Sequence, residues 1–309
     1  MSVSEEKTSP HVSAVICTRN RPDTIGQAVA SVLANDYPAF DLTVIDQSTT
    51  DATEVALQSL ASSDARLRYM HVNESGLSRA YNNAIHSTSG EILAFTDDDC
   101  LAPQDWLTAI VAAFAADGEA DLLYGRVLPA STRGDDPILT PWLDIPRPER
   151  LSRKDGFKVF GMGANFAARR RLFSRIGGFD EILGGGAPLR SSQDYDLAYR
   201  TYCAGSVILL RPEVHVLHDG LRAREDWPAL LRNYGIGDGA FYSKHVRCRD
   251  PYALWLLTRQ VTNWGARYLV KYILGRKPTE FPYIRSIFVG IREGFRFDVD
   301  RHSRLYVQR

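Results

Sequence analysis

Cysteine is scarce in this 309-residue chain, and no two cysteines stand close together. The four are widely separated and form no C-x-x-C unit: Cys17, Cys100, Cys203 and Cys248. Compact zinc modules and disulfide-stapled folds both need cysteines at short, regular spacings, so the sequence excludes these two classes. A reducing cytoplasm is the expected environment.

Long apolar runs are also missing. No stretch approaches the ~20 residues that a membrane-spanning helix needs. The first ten residues lack the basic and apolar segments of a secretion signal, and residues 1–10 are expected to be disordered. These absences predict a cytoplasmic protein, either free or attached peripherally to the inner face of the membrane.

Three common nucleotide and hydrolase signatures do not occur. No G-x-G-x-x-G follows the first predicted strand, which disfavours a dinucleotide-binding protein. The P-loop pattern G-x-x-x-x-G-K-[ST] is absent, and so is the G-x-S-x-G elbow of serine hydrolases.

Net charge is zero, but the charge is unevenly distributed along the chain. Residues 222–309 contain 17 Lys or Arg and 8 Asp or Glu, whereas residues 1–221 contain 20 and 29. The acidic front favours a cation site, and the basic tail favours an anionic partner such as a membrane surface or nucleic acid. A solvated basic helical face explains the tail equally well.

Strand-like and helix-like segments alternate over the first hundred residues. Apolar runs end at Thr18, at Asp46 and just before Asp97, and helical patterns separate them. This alternation predicts a mostly parallel sheet with helices on both faces, in which ligands bind beyond the carboxyl ends of the strands. Residues 128–155 are expected to form a long functional loop, and helices are expected from residue 226 onward.

Three consecutive aspartates, Asp97, Asp98 and Asp99, follow the fourth predicted strand. Their mutual repulsion favours a bound cation, and carboxylate oxygens suit Mg²⁺ or Mn²⁺. Because side chains alternate along an extended segment, Asp97 and Asp99 are predicted to face the same ion and Asp98 to point away. An acidic turn that caps a helix is the alternative.

Two further polar pairs have more than one reading. His215 and His218 follow a strand, so either one adds an imidazole to the carboxylates or has an ordinary structural role. Asp194 and Asp196 lie at a helix start, where an acid either complements the helix dipole or serves as a general base toward a substrate hydroxyl.

Five short segments occur in a fixed order along the chain. They are VICTRNRP at 15–22, VIDQST at 44–49, GLSRAYNN at 76–83, FTDDD at 95–99, and GGFDE at 177–181 leading to QD at 193–194. With these segments, about residues 12–220 of the chain resemble the inverting family 2 glycosyltransferases. This resemblance implies an α/β GT-A fold with a Rossmann-like, mostly parallel sheet and helices on both faces, followed by a C-terminal amphipathic helical extension.

The resemblance implies a donor site at the strand ends. The turn at Thr18 and Arg19, together with Asp46, would bind the nucleobase and ribose, and Arg79 would lie near the base or the phosphates. Asn165 would line the donor-sugar side. The segment Asp-Gln-Ser-Thr at 46–49 departs from the family's usual Asp-Asp-Gly-Ser, which affects the detail of base recognition.

The metal and the catalytic base are implied in the same way. Asp97 and Asp99 would form a D-x-D pair at the ribose and at a Mn²⁺ or Mg²⁺ ion, with His218 as a further ligand. Asp194 would deprotonate the acceptor hydroxyl, although Gln193 replaces the usual preceding Glu. Which of His215 and His218 meets the metal stays open.

The implied organisation is a catalytic domain over residues 11–225, with a nucleotide-binding half (11–127) and an acceptor half (128–225), followed by a basic helical extension over 226–309. The donor would be a nucleotide-diphospho-sugar, expected to be UDP-linked. The acceptor would be a glycan, a lipid-linked or a small-molecule hydroxyl.

Aromatic and basic residues at 251–276 favour an anionic membrane surface, a homodimer contact or a helix packed on the catalytic domain. No motif supports nucleic-acid binding. A sugar nucleotidyltransferase and a non-catalytic nucleotide-sugar- or glycan-binding protein are the alternative functions.

Overall fold

A computed structural model of the chain describes residues 9–130, 141–158, 161–220, 224–276 and 280–308. Residues 1–8 of the predicted disordered terminus, and residues 131–140 of the predicted loop, lie outside these ranges. Within them the chain forms a central mixed sheet with helices on both faces and a C-terminal layer of three helices.

The first half of the chain follows the predicted alternation. Its strands are β1 (Val12–Thr18), β2 (Phe40–Asp46), β3 (Leu67–His71), β4 (Ile92–Asp97) and β5 (Cys100–Leu101). Its helices are α1 (Pro22–Leu33), α2 (Ala52–Ser63), α3 (Leu77–Ser87) and α4 (Trp106–Ala116). Helix α1 shows why the pattern is reliable: proline stands at its first position, and Ile25, Val29 and Val32 form one buried face.

The second half adds strands on the other side of β4. They are β6 (Ala120–Pro129), β7 (Glu149–Leu151), β8 (Asn165–Arg169) and β9 (Val207–His218), with helices α5 (Arg170–Ile176) and α6 (Gln193–Cys203). The described sheet has the order β3-β2-β1-β4-β8-β6-β9-β5, and β7 pairs with β9. Strands β3, β2, β1 and β4 are parallel, whereas β8 runs antiparallel to both β4 and β6.

The expectation of a single loop over 128–155 is corrected by three elements within that range. Leu128 and Pro129 complete β6, residues 149–151 form β7, and Arg153–Asp155 is a short 3₁₀ helix. Strand β7 joins the sheet by pairing with β9, about sixty residues later in sequence. A three-residue strand shows little alternation of apolar and polar residues, and its formation depends on a pairing partner that is distant in sequence. Its position is therefore hard to predict from the sequence.

Two hydrophobic cores cover the two faces of the sheet. One packs α1, α2 and α4 against the sheet, and the other packs α3, α5 and α6. The fold class expected from the sequence is thus confirmed.

The C-terminal segment is helical, as predicted, but ends in a hairpin that the pattern did not predict. It contains α7 (Trp227–Arg247), α8 (Pro251–Ile273), α9 (Phe281–Gly294), β10 (Asp298–Asp300) and β11 (Leu305–Val307). Helices α7 and α9 pack closely, since a Cβ built on Gly239 would lie 2.0 Å from the Ile287 carbonyl oxygen. None of the described helices is long and apolar enough to cross a membrane.

Candidate functional site

Strand pairing brings the predicted site residues to one edge of the sheet. In the parallel registers, Thr18 lies opposite Asp46, and Cys17 lies opposite Asp97. Residues separated by as many as 79 positions therefore meet at the carboxyl ends of β1, β2 and β4. This is the edge at which α/β sheets bind ligands.

The aspartate triplet is not a helix cap. Helix α4 begins at Trp106, with Asp105 at its N-cap position. The sequence predicted no ligand role for Asp98. In the structure it accepts hydrogen bonds from the Thr18 hydroxyl (2.6 Å) and from Arg21 (2.9 Å). It therefore ties the turn after β1 to the triplet.

His218, and not His215, lies beside the triplet. Strand β5 pairs with the end of β9 so that Cys100 is opposite His218, which brings His218 Nε2 to 3.2 Å from Asp99 Oδ1. The other nitrogen, Nδ1, lies 2.8 Å from the Pro141 carbonyl oxygen and is thereby oriented. His215 contacts the carbonyl of Glu213 instead.

Burial and mutual repulsion shape the charges of this cluster. Burial, followed by the charges of Asp99 and Asp98, raises the pKa of Asp97 to about 7. Burial also disfavours the His218 imidazolium, but the hydrogen bond and charge of Asp99 outweigh it and raise the pKa of His218. The pKa of Asp99 is lowered despite burial, because His218 and Arg21 stabilise its carboxylate.

The donor set fits a divalent cation. Among the described residues, ligand atoms of Asp99, Cys100 and His218 lie within 4.8 Å of one another. The negative charge of Asp97 also helps to raise the pKa of His218. Burial raises the pKa of the Cys100 thiol, so it stays protonated and is a poor ligand. Asp99 and His218 remain, a carboxylate and an imidazole of the kinds that bind Mn²⁺, and Asp97 is the predicted second carboxylate.

Gly220 leaves the space that this cluster needs. A Cβ built at Gly220 would lie 2.4 Å from His218 Nε2 and 2.6 Å from Asp99 Oδ2. Sequence reasoning missed this glycine, and also Arg21, whose guanidinium hydrogen-bonds Asp99 Oδ2 at 2.5 Å.

A cavity of about 510 Å³ lies beyond the ends of β1, β2 and β3, at the same edge of the sheet as the cluster. The exposed Arg19 lines it together with Ser48, Tyr69 and His71. Asp46 lies behind this wall: it is fully buried, and its carboxylate accepts hydrogen bonds from Ser48 and from the Tyr69 hydroxyl. In this arrangement Asp46 supports the cavity wall.

Two predicted donor residues lie apart from this cavity. Arg79 contacts Glu74 at 3.2 Å and Glu181 at 3.5 Å, beside a separate depression next to the C-terminal hairpin. Asn165 is fully buried, and its amide bonds to Trp106 and to the carbonyls of Arg126 and Val214. The structure therefore does not bring the Asn165 side chain to the surface of the site.

Asp194 lies in the first turn of α6 with its carboxylate held by backbone. Its two oxygens accept hydrogen bonds from the amides of Gly163 (3.0 Å) and Tyr195 (2.9 Å). Burial nevertheless raises its pKa. Its neighbour Asp196 is fully buried in ion pairs with Arg200 and Lys244.

Tyr81 was not recognised from the sequence as a site residue. Its ring packs against Phe95, Phe166 and Phe179 at centroid distances of 5.2, 5.7 and 4.7 Å. A Cβ built at Gly163 would lie 3.6 Å from both the Tyr81 hydroxyl and Asp194 Oδ2. Within the described part of the chain, this buried hydroxyl has no hydrogen-bond partner. Burial, then the charge of Asp97 and more weakly that of Asp194, raises its pKa, so it stays a donor.

Comparison with known sequences identifies the family. The sequence model for glycosyl transferase family 2 matches residues 13–177, more than half of the chain. The chain belongs to glycosyltransferase family 2. It is therefore a transferase enzyme, which disfavours the nucleotidyltransferase and the non-catalytic alternatives.

Two archaeal relatives from Haloferax volcanii are similar over most of their length. Glycosyltransferase AglE is 26% identical over 261 residues, covering 81% of each chain. A glucosyl-dolichyl phosphate glucuronosyltransferase is 24% identical over 246 residues, covering 76% of each chain.

A solved structure shares the fold. It is a mannosyltransferase from Pyrobaculum calidifontis in complex with GDP-Man and Mn²⁺, with a TM-score of 0.62 and 17% identity, covering 93% of this chain and 88% of that chain. The GT-A fold expected for family 2 is thereby confirmed.

Proposed function

We propose that this family 2 glycosyltransferase uses a nucleoside-diphosphate sugar, with UDP as the expected nucleotide, and a Mn²⁺ or Mg²⁺ ion. The observation that carries the proposal is the cluster of Asp97, Asp99 and His218 at the edge of the sheet, next to the cavity lined by Arg19. The structural neighbour that binds GDP-Man and Mn²⁺ supports this donor class.

Asp97, Asp99 and His218 are the proposed metal ligands. A divalent cation held there would offset the negative charge that develops on the leaving diphosphate. His218 is oriented for this task by the Pro141 carbonyl, which lies 2.8 Å from its Nδ1. Thr18, Arg19 and Asp46 remain the proposed nucleotide-binding residues at the cavity, with Asp46 acting through Ser48 and Tyr69. Arg79 lies outside this cavity and is proposed to act near the phosphates.

Asp194 is the proposed general base. Its raised pKa makes it a better proton acceptor than an ordinary aspartate, and the amides of Gly163 and Tyr195 fix the direction of its carboxylate. Removing the acceptor proton at one face of the sugar allows a single displacement, which inverts the anomeric centre.

The acceptor is proposed to be a glycan, a lipid-linked or a small-molecule hydroxyl, and the dolichyl-phosphate relative favours the lipid-linked class. The catalytic domain is proposed to end near residue 225 and the extension to begin at 226. Peripheral attachment to a membrane would suit a lipid-linked acceptor.

Donor binding is tested by thermal unfolding against a panel of UDP- and GDP-sugars with and without Mn²⁺. We expect one donor to raise the melting temperature only when Mn²⁺ is present, since a ligand that binds the native state stabilises it. Asp99→Asn should abolish this Mn²⁺-dependent rise. The control is Asp105→Asn, an exposed aspartate at the start of α4, which should leave it intact. An unchanged response in Asp99→Asn would refute the metal assignment.

The catalytic base is tested by Asp194→Asn. We expect donor-induced stabilisation to persist while transfer falls about 10²- to 10⁴-fold, the usual contribution of general-base catalysis. The measurement is release of nucleoside diphosphate in the presence of acceptor. Transfer at the wild-type rate would mean that another group removes the proton.

A further inference from the structure

The α8–α9 hairpin ends in a cluster of exposed apolar side chains, here termed the tip. Its members are each between 55% and 72% exposed: Leu269, Val270, Tyr272, Ile273, Leu274 and Phe281. In α8 the fully buried residues are Ala253 and Leu256, both in its first two turns. In the far half of this 23-residue helix every side chain is exposed or only partly buried. A contiguous apolar surface of this kind usually marks an interaction site.

The apolar surface continues along α9. Phe281, Phe288 and Phe295 are spaced by seven residues, which places them on one helix face, and each is 55–57% exposed. Arg285 and Arg292 stand between them in sequence and are also exposed. Aromatic rings interleaved with arginines are typical of helices that lie in a membrane interface.

The helical hairpin formed by α8 and α9 is strongly basic. Residues 251–296 contain eight Lys or Arg and two Glu. Both glutamates are paired with cations, Glu280 with Lys271 and Glu293 with Arg292 and Arg296. An anionic surface complements this charge. A second copy of the chain does not, because a two-fold contact would place two net-positive surfaces against each other.

The tip lies at the end of the helical layer that faces the catalytic base. Helix α9 runs beside α7, with a Cβ at Gly235 lying 2.6 Å from the Tyr283 carbonyl oxygen. The same part of α7 contacts the residues that precede α6: the Asn233 carbonyl accepts from Ser191, and Asp238 accepts from Ser192 at 2.7 Å. Asp194 follows two residues later. The start of α9, and with it the tip, is therefore on the Asp194 side.

We propose that the tip docks on an anionic lipid surface and holds the enzyme with its acceptor side toward the bilayer. The docking rests on the exposed apolar and basic surface alone. The functional role of the orientation rests on the proposed function, because a lipid-linked acceptor would approach Asp194 from the lipid surface.

Co-sedimentation with vesicles tests the docking. The full chain should sediment with vesicles made of equal parts phosphatidylglycerol and phosphatidylcholine, bind pure phosphatidylcholine far less, and be released at about 0.5 M NaCl, where surface charge is screened. Ile273→Glu should weaken binding at least about tenfold, because it removes an inserting side chain and adds a negative charge.

The matched control is Val55→Glu. Val55 is 63% exposed on α2, far from the hairpin in sequence, and the substitution makes the same charge change. It should bind vesicles like the unmodified chain. Equal binding by Ile273→Glu and Val55→Glu, or no binding of the unmodified chain to anionic vesicles at low salt, would overturn the proposal. The proposal would also be overturned if light scattering showed that the unmodified chain is a dimer, that Ile273→Glu but not Val55→Glu abolishes the dimer, and that the unmodified chain does not bind vesicles.

Donor chemistry separates this proposal from the proposed function. Ile273→Glu should keep the Mn²⁺-dependent stabilisation by donor and the slow hydrolysis of donor in solution, because the tip contributes no residue to the metal cluster. If Ile273→Glu loses vesicle binding but keeps its stabilisation by donor and its donor hydrolysis, the result supports the docking and does not test the proposed function. Vesicle binding by a chain that shows no donor response would refute the proposed function and leave the docking standing.

Discussion

At the scale of single residues, three adjacent aspartates have three different surroundings. Asp97 is half-buried, and desolvation together with the charges of Asp99 and Asp98 raises its pKa to about 7. Asp98 is held by Thr18 and Arg21, and Asp99 lies between Arg21 and His218. Identical side chains therefore differ in their partners, and of the three only Asp99 has a carboxylate oxygen in contact with His218 among the described residues.

Tyr81→Phe separates a catalytic from a structural role for the buried hydroxyl. An unpaired buried hydroxyl costs about 1–3 kcal/mol, so its removal should leave the free energy of unfolding unchanged or raise it. If the hydroxyl contacts a sugar, transfer should nevertheless fall, by about tenfold for one lost hydrogen bond. Chemical denaturation and steady-state kinetics on the same preparation provide the two readouts.

The control for Tyr81→Phe is Tyr37→Phe. The Tyr37 hydroxyl donates to the Pro10 carbonyl at 2.6 Å, at the opposite end of β1 from the site. Its removal should cost about 1 kcal/mol of stability and leave transfer unaltered. A Tyr81→Phe enzyme with normal kinetics would show that this hydroxyl has no part in the reaction.

At the scale of elements, α7 and α9 are joined by glycine. Gly239 and Gly290 let the two backbones approach, since a Cβ on either would lie 2.0 Å from a carbonyl oxygen of the other helix, that of Ile287 or Ile236. Asp238, beside Gly239, accepts from Ser192 and from the Tyr283 hydroxyl, so it links α9 to the N-terminus of α6. The spacing of α7 and α9 thus bears on the position of Asp194.

Gly239→Ala should destabilise the protein by about 1–3 kcal/mol, because the added methyl group forces two packed helices apart. The same change at Gly265 is the control: no atom lies within 4 Å of a Cβ built there, in the middle of α8. Gly265→Ala should stabilise by about 0.5–1 kcal/mol through helix propensity. Similar effects of the two changes in urea denaturation would contradict the close packing.

Elements with local signals were predictable, and elements held by distant partners were not. The continuous apolar strands β1, β2 and β4 end within one residue of the predicted positions, at Thr18, Asp46 and Asp97. Strands β5, β6, β7, β10 and β11 were missed. For β7 the reason is pairing: its partner β9 lies far along the chain, so its three residues carry little local pattern.

The same distinction holds for the site. The strand-end position of Thr18, Asp46 and Asp97 followed from alternation alone. The pairing of β5 with β9 decides between His215 and His218, and no local pattern reveals it. The side-chain amide of Asn165 likewise has its hydrogen bonds taken up by residues of three separate elements, α4, β6 and β9. The sequence around Asn165 does not reveal this.

At the scale of the whole molecule, a buried ionic network joins the catalytic sheet to the C-terminal layer. Asp196 on α6 pairs with Arg200 on the same helix and with Lys244 and His245 on α7, and Lys244 also pairs with Asp180. All five side chains are buried. Burial opposes ionisation of Asp196, but the charges of Lys244 and Arg200 hold its pKa far below the usual range.

The network predicts a pH dependence of stability. Burial lowers the pKa of His245 to about 4 from an ordinary 6.5, so between these values the unfolded chain binds a proton that the folded chain does not. Stability from this group is therefore lost as pH falls from 6.5 to 4. The raised pKa values of Asp97 and His218 act in the opposite direction.

The difference in unfolding free energy between the wild type and His245→Gln isolates this effect, because Asp97 and His218 are common to both. We expect that difference to shrink on acidification from pH 6.5 to 4, measured by denaturant titration in EDTA. A difference that does not vary with pH would mean that His245 titrates normally in the folded protein.

The long reach of the network also sets an order of events during synthesis. Lys244 follows Asp180 by 64 residues, and the backbone amide of Tyr306 in β11, which donates to the same carboxylate, follows by 126. A nascent chain that has just released α6 from the ribosome holds Asp180 and Asp196 without the cation of α7, and burying them unpaired is costly. The first strands and helices of the sheet can therefore fold while translation continues, whereas the segment that contains Asp180 and Asp196 must wait for the last third of the chain to emerge.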